Sequence, residues 1–159
     1  MNAVLEIKNL SVTLNRGGSN VAILDQLNLR IAPGEMQALV GESGSGKTIA
    51  ALAIMRLLPP GAKISGEILL NGENLAAVAE PRMRQVRGKS VAMVFQNPLA
   101  ALNPSRTIAA QIGEAWQVHQ GGGAAQARAR ALELLDEVGI PDAKSRLNDY
   151  PHQFSGGMR

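Results

Sequence analysis

The sequence predicts an α/β fold in which strands come first and helices last. Three observations carry this. Apolar and polar residues alternate over much of the first third. A glycine-rich stretch at 41–46 joins a short apolar run to a segment rich in Ala, Leu and Ile. Beyond residue 97 the apolar spacing becomes that of helices.

Leu5 and Ile7, then Leu10, Val12 and Leu14, alternate with polar residues as half-buried strands do. Gly17-Gly18-Ser19-Asn20 is a loop by composition. Leu27, Leu29 and Ile31 resume the alternation, which ends at the turn pair Pro33-Gly34. Met36 to Val40 is a short apolar run suited to a buried strand. Thr48 to Leu58 reads as a helix stopped by Pro59-Pro60. Ile64 to Leu70 is a strand closed by Asn71-Gly72, and Ser90 to Phe95 is a further apolar strand. Thr107 to Val118 and Ala124 to Val138 read as helices separated by Gly121-Gly122-Gly123. Leu132, Leu135 and Val138 fall on one face of the second, with Gly139 as its C-terminal cap. The expected division is a core over 1–96 and a helical subdomain over 97–159.

Composition narrows the function. The chain has 159 residues, no cysteine and two histidines, His119 and His152. A disulfide scaffold, a cysteine zinc site and a thiol nucleophile are excluded. The net charge of +3 is mild and the arginines are dispersed, so no nucleic-acid partner is expected. The longest apolar stretch, Ile49 to Leu58, is interrupted by Arg56 and falls short of the ~20 residues a membrane span needs. Glu6 and Lys8 within the opening residues argue against a signal peptide.

The most informative segment is Gly41-Glu42-Ser43-Gly44-Ser45-Gly46-Lys47-Thr48, a full match to G-x-x-x-x-G-K-[ST] between an expected strand and an expected helix. Glycines let successive backbone N–H groups converge on one anion, and the helix start adds its positive dipole end. Lys47 brings a point charge to the β- and γ-phosphates, and the Thr48 hydroxyl is a hard oxygen ligand for Mg²⁺. The expectation is a nucleoside triphosphate site. Such a loop does not by itself choose among kinases, GTPases and transport ATPases.

Two later segments narrow the choice: Val94-Phe95-Gln96-Asn97-Pro98, running on to Leu102-Asn103-Pro104, and Tyr150-Pro151-His152-Gln153-Phe154-Ser155-Gly156-Gly157-Met158. Each alone is an ordinary loop composition. In this order behind the phosphate loop, they make the whole chain resemble the ATP-binding subunit of ABC transporters, in the branch that imports dipeptides, oligopeptides and nickel. Residues 41–48 resemble the Walker A loop and Gln96 the Q-loop glutamine. Ser155-Gly156-Gly157 resembles the LSGGQ signature, with Phe154 for Leu and Met158 for Gln.

The resemblance implies a P-loop NTPase core of RecA-like type, an N-terminal antiparallel β-subdomain and an attached helical subdomain, incomplete at the C-terminus. It implies ATP and Mg²⁺ as ligands, with Thr48 and Gln96 near the metal. Gln96 would also lie near the attacking water and couple the site to the membrane subunits. Ser155, Gly156 and Gly157 would close over the γ-phosphate held by a second ATP-binding subunit, in a homo- or heterodimer. Two membrane-spanning permease subunits, and indirectly an extracytoplasmic substrate-binding protein, complete the implied assembly on the cytoplasmic face of the inner membrane.

Two departures from the family pattern stand out. No aromatic precedes Phe95, so apolar packing near Leu14 would replace base stacking. The family's Walker B Asp-Glu pair and switch histidine have no match. Glu35 precedes a strand, Asp136-Glu137 belongs to a helix face, and His152 lies ahead of Ser155 and is expected to pack locally. Residues 1–159 alone are therefore expected to bind nucleotide poorly and not to hydrolyse it. A soluble P-loop ATPase outside transport and a non-catalytic remnant remain open at this point.

Overall fold

The structure, a computed structural model, describes residues 3–97 and 101–159. Pro98 to Ala100, inside the second of the motif segments, lie outside the described residues. The chain forms two compact units, Met1–Val91 and Ala92–Arg159, so Gln96 lies with the second.

The first unit is built on an antiparallel sheet of order β2-β1-β3-β4. Its strands are β1 (Leu5–Arg16), β2 (Ser19–Ile31), β3 (Lys63–Leu70) and β4 (Glu73–Asn74). Arg16 pairs with Ser19 across the Gly17-Gly18 turn, and Leu70 with Glu73 across Asn71-Gly72. Ile7, Leu10, Val12, Ile68 and Leu70 turn one face of the sheet inward. They pack with Ala53 of α1 (Lys47–Ile54), with Leu75, and with Met83 and Val86 of α2 (Glu80–Val86). This sheet is the antiparallel subdomain that the resemblance implied.

Period-two alternation alone cannot put both Ile7 and Leu10 on the core side. The ladder slips between these residues against β2, and between Lys8 and Ser11 against β3. At the slip, Asn9 (φ 48°), Gln26 (φ 45°) and Gly66 (φ 92°) are left-handed. Asn28 Oδ1 accepts the Asn9 N–H at 2.9 Å, and Ser11 Oγ accepts the Gln26 N–H at 2.9 Å. Side chains thus take up backbone donors that the bulge releases from the ladder.

Three expectations for residues 1–96 are corrected. Residues 36–40 form no strand, and Met36 and Val40 are 97% and 91% exposed. Residues 90–95 also form none beyond a single Arg87–Val91 bridge, with Val94 95% exposed. A buried strand needs hydrogen-bonded neighbours, and among the described residues neither run has a paired strand beside it. The first helix stops at Ile54, before Leu58, because Arg56 turns left-handed (φ 51°). Helix α2 went unforeseen; Pro81 in its first turn fits its fixed φ.

The second unit holds α3 (Ile108–Gln120), α4 (Ala124–Glu137), the single turn α5 (Ala143–Arg146) and a 3₁₀ turn at Pro151–Gln153. Thr107 caps α3, its hydroxyl accepting the Ala110 N–H. Gly113 lets α4 approach closely at Ala127. At the end of α4 the Gly139 N–H reaches Asp136 O (3.0 Å) and the Ile140 N–H reaches Leu135 O (2.9 Å). These are the paired bonds of a Schellman cap. The reversal turns Val138 outward, 72% exposed, so the expected apolar face loses Val138 and Ile140 joins Leu135 in the core. Among the described residues no helix is long and apolar enough to cross a membrane.

Candidate nucleotide site

Residues 41–48 leave the coil after β2 and wrap into the start of α1. Ser45 N–H bonds Glu42 O at 3.2 Å, which tightens the loop, and Ala50 N–H closes the first helical bond on Gly46 O at 2.8 Å. The N–H groups of Lys47, Thr48 and Ile49 have no carbonyl one turn earlier to accept them. No acidic side chain sits in that first turn, so the positive end of the helix is not neutralised from within.

Gly46 is the pivot. It caps α1 at φ 91°, ψ 0°, and it is buried against β2. A Cβ there would stand 3.1 Å from Ile23 O and 3.3 Å from Leu24 Cδ1. The loop is thus seated directly on the β-hairpin backbone.

Lys47 is the first residue of α1, and its side chain folds back over the loop. Nζ donates to Gly41 O (2.7 Å), Glu42 O (2.6 Å) and Ser45 Oγ (3.2 Å). The ammonium therefore lies inside the curve of the loop, beside the free N–H groups of the helix start. Glu42, Ser43, Gly44 and Thr48 are exposed around it. This donor set suits a polyphosphate, and the exposed Thr48 hydroxyl is a hard oxygen of the kind that could ligate Mg²⁺.

The remaining sequence-derived residues lie in the second unit. Gln96 is exposed in irregular chain. Downstream, Gln111 Oε1 accepts the Asn103 N–H (2.8 Å), and its Nε2 donates to Asn103 O and Arg106 O (both 3.0 Å). Gln111 thereby pins the Leu102-Asn103-Pro104 segment to α3, a role its place inside a helix pattern did not reveal. Ser155, Gly156 and Gly157 are exposed, and a Cβ on either glycine would meet nothing within 4 Å. Ser155 Oγ accepts the Met158 N–H (3.4 Å), and Ser155 O accepts the Arg159 N–H (3.2 Å).

Phe154 is buried beneath this turn, with the Arg146 guanidinium 5.6 Å from its ring centroid. His152 stacks on Tyr150 at 5.8 Å, and its carbonyl accepts from Arg159. The carboxylates weighed as hydrolytic candidates are engaged elsewhere or face solvent. Glu35 accepts the Ala32 N–H at 2.6 Å, Glu137 pairs with Arg130 at 3.0 Å, and Asp136 is exposed.

Comparison with known proteins identifies the family. The ABC transporter family model matches residues 24–159. A Brucella abortus protein named as a peptide import ATP-binding protein is 46% identical over 98% of this chain and 47% of its own length. The peptidoglycan transport ATP-binding protein YejF of Agrobacterium fabrum is 46% identical over 98% of this chain and 29% of its own. Among solved structures, the dimeric bacterial ABC transporter cassette MJ0796 superposes with a TM-score of 0.81 at 26% identity. That match covers 97% of this chain and 64% of the cassette. The chain belongs to the ABC transporter family and carries part of the fold of its ATPase cassette. It spans about half the length of the curated import relatives it matches.

Proposed function

We propose that this chain supplies the ATP-gripping part of an energy-coupling subunit of an importer for peptide-like cargo. The observation that carries the reading is the Lys47 ammonium held within the 41–48 curve at a helix start free of acidic residues. Gly44 and Gly46 shape the loop, Lys47 and the N–H groups of α1 bind the phosphates, and Thr48 would hold Mg²⁺. Bound Mg²⁺ supplies charge neutralisation on the phosphate oxygens. Leu14, half-buried and paired with Val21 on the hairpin, offers an apolar surface to the base.

The names of the relatives support import of peptides or peptide-bearing fragments. MJ0796, described as dimeric and in a second structure as bound to ADP and Pi, supports a two-subunit arrangement. In that arrangement Ser155, Gly156 and Gly157 of one subunit face the phosphates held by the other, and the cassette works from the cytoplasmic face against two permease subunits. Glu35 and Glu137 are engaged elsewhere and Asp136 faces solvent, so residues 1–159 by themselves are expected to bind nucleotide poorly and not to turn it over.

Uptake of a labelled peptide into membrane vesicles containing the permeases and the full-length subunit tests this. ATP inside the reaction compartment is expected to drive uptake, and Ser155→Arg to stop it without loss of nucleotide binding. Uptake indifferent to ATP, or to Ser155→Arg, would contradict the proposal.

A further inference from the structure

The C-terminal end of α1 is fastened as deliberately as its phosphate-facing start. Leu57 N–H bonds Leu52 O (2.8 Å) and Arg56 N–H bonds Ala53 O (3.0 Å), so Arg56 holds the left-handed position of a Schellman cap. That position favours glycine, and a long β-substituted side chain there carries a backbone cost. The Arg56 guanidinium offsets it. It donates to Val78 O and Leu75 O and lies 3.7 Å from Glu80 Oε2.

Arg87, at the far end of α2, reaches the same place. Its Nε donates to Met55 O (2.7 Å), its Nη2 to Arg56 O (3.3 Å) and its Nη1 to Glu80 Oε1 (2.6 Å). The two arginine side chains are 27% and 20% exposed. Hydrogen bonding from Arg87 holds the Glu80 carboxyl below its ordinary range, and the charges of Arg87, Arg56 and Arg84 act in the same direction. Two cations at the negative end of the helix also complement its dipole.

We infer that Arg56 and Arg87, bridged by Glu80, are positioning residues for the phosphate loop. They clamp the short helix α1 from behind and so fix where Lys47 and the first N–H groups of the helix point. With only eight residues in α1, a tilt at one end is carried to the other. The inference rests on the nucleotide reading above.

Arg56→Gly separates this role from plain capping. Glycine suits the left-handed cap better, so the melting temperature is expected to hold or rise. Loss of the guanidinium is expected to weaken binding of a fluorescent ATP analogue roughly three- to tenfold. Amide exchange across residues 50–55 is expected to quicken as well. Arg87→Lys keeps the charge and loses the fork, and should weaken binding in the same direction. Arg82→Ala removes the neighbouring Arg82–Glu73 pair without touching α1, and should leave affinity unchanged.

All variants are made in the full-length protein: if it fails to bind the analogue when unaltered, the nucleotide reading fails, while exchange across 50–55 still reports on the clamp. If it binds, and Arg56→Gly and Arg87→Lys bind equally well with unchanged exchange, the clamp is refuted.

Discussion

Gly66→Ala is expected to unfold the first unit. At Gly66 the backbone is left-handed (φ 92°), and an added Cβ would lie 2.4 Å from Asn9 O and 2.6 Å from Lys8 O. Both atoms are main chain at the bulge where β1 and β3 change register, so neither can swing aside as a side-chain tip would. The expected cost is about 3–5 kcal/mol, in the range of the most damaging single substitutions and comparable with the whole stability of a small domain. Gly72→Ala is the control. It is also left-handed (φ 86°) but has nothing within 4 Å, so it bears the conformational penalty alone, about 1 kcal/mol. Far-UV circular dichroism in urea should separate the two. The single tryptophan, Trp116, belongs to the second unit and would report little of the change. Equal midpoints for the two variants would show that the close approach at Asn9 carries no weight.

Gly46→Ala is expected to cost the site more than the fold. Its Cβ would press on Ile23 O at 3.1 Å and Leu24 Cδ1 at 3.3 Å, distances that demand a shift of a few tenths of an ångström. The loop can yield more readily than the hairpin, so the first turn of α1 moves away from β2 and takes Lys47 with it. The fold is expected to lose about 1–2 kcal/mol. Nucleotide affinity should fall about tenfold or more, since phosphate binding depends on several donors converging on one point. Calorimetric titration measures this. A variant of normal affinity and lowered stability would mean that the seat on β2 serves folding only.

The phosphate loop was legible because its chemistry is local: eight consecutive residues specify the turn, the cation and the helix start. The strands of the β1–β2 hairpin were legible only in part: alternation marks 5–14 and 27–31, but Ser19 and Asn20, which read as loop by composition, pair with Arg16 and Asn15 and belong to β2. The break between Ile7 and Leu10 is visible in the sequence, but that it is a bulge depends on Asn28, Ser11 and Gly66 from other parts of the chain. Gly66 itself reads as an unremarked residue inside a strand until the Asn9 carbonyl is set against it.

Residues 36–40 and 90–95 misled because an apolar run states only that a strand could be buried, and pairing is a property of non-local partners. Arg56 misled differently. Prolines 59 and 60 are the obvious stop, while a left-handed arginine held by distant carbonyls carries no local signal. Helix α2 was hidden by its charges and Pro81, although Met83 and Val86 sit at helical spacing and are both buried.

The central claim is that the Lys47 ammonium, at the mouth of α1, holds the phosphate tail of a nucleotide. Titrating ATP into the full-length protein and its Lys47→Met variant by calorimetry tests it most directly. Methionine keeps most of the side chain's length and volume and removes only the charge and its donors. Binding is expected in the unaltered protein, with a loss of about 2–3 kcal/mol in the variant at unchanged circular dichroism. Equal affinity in both would contradict the account.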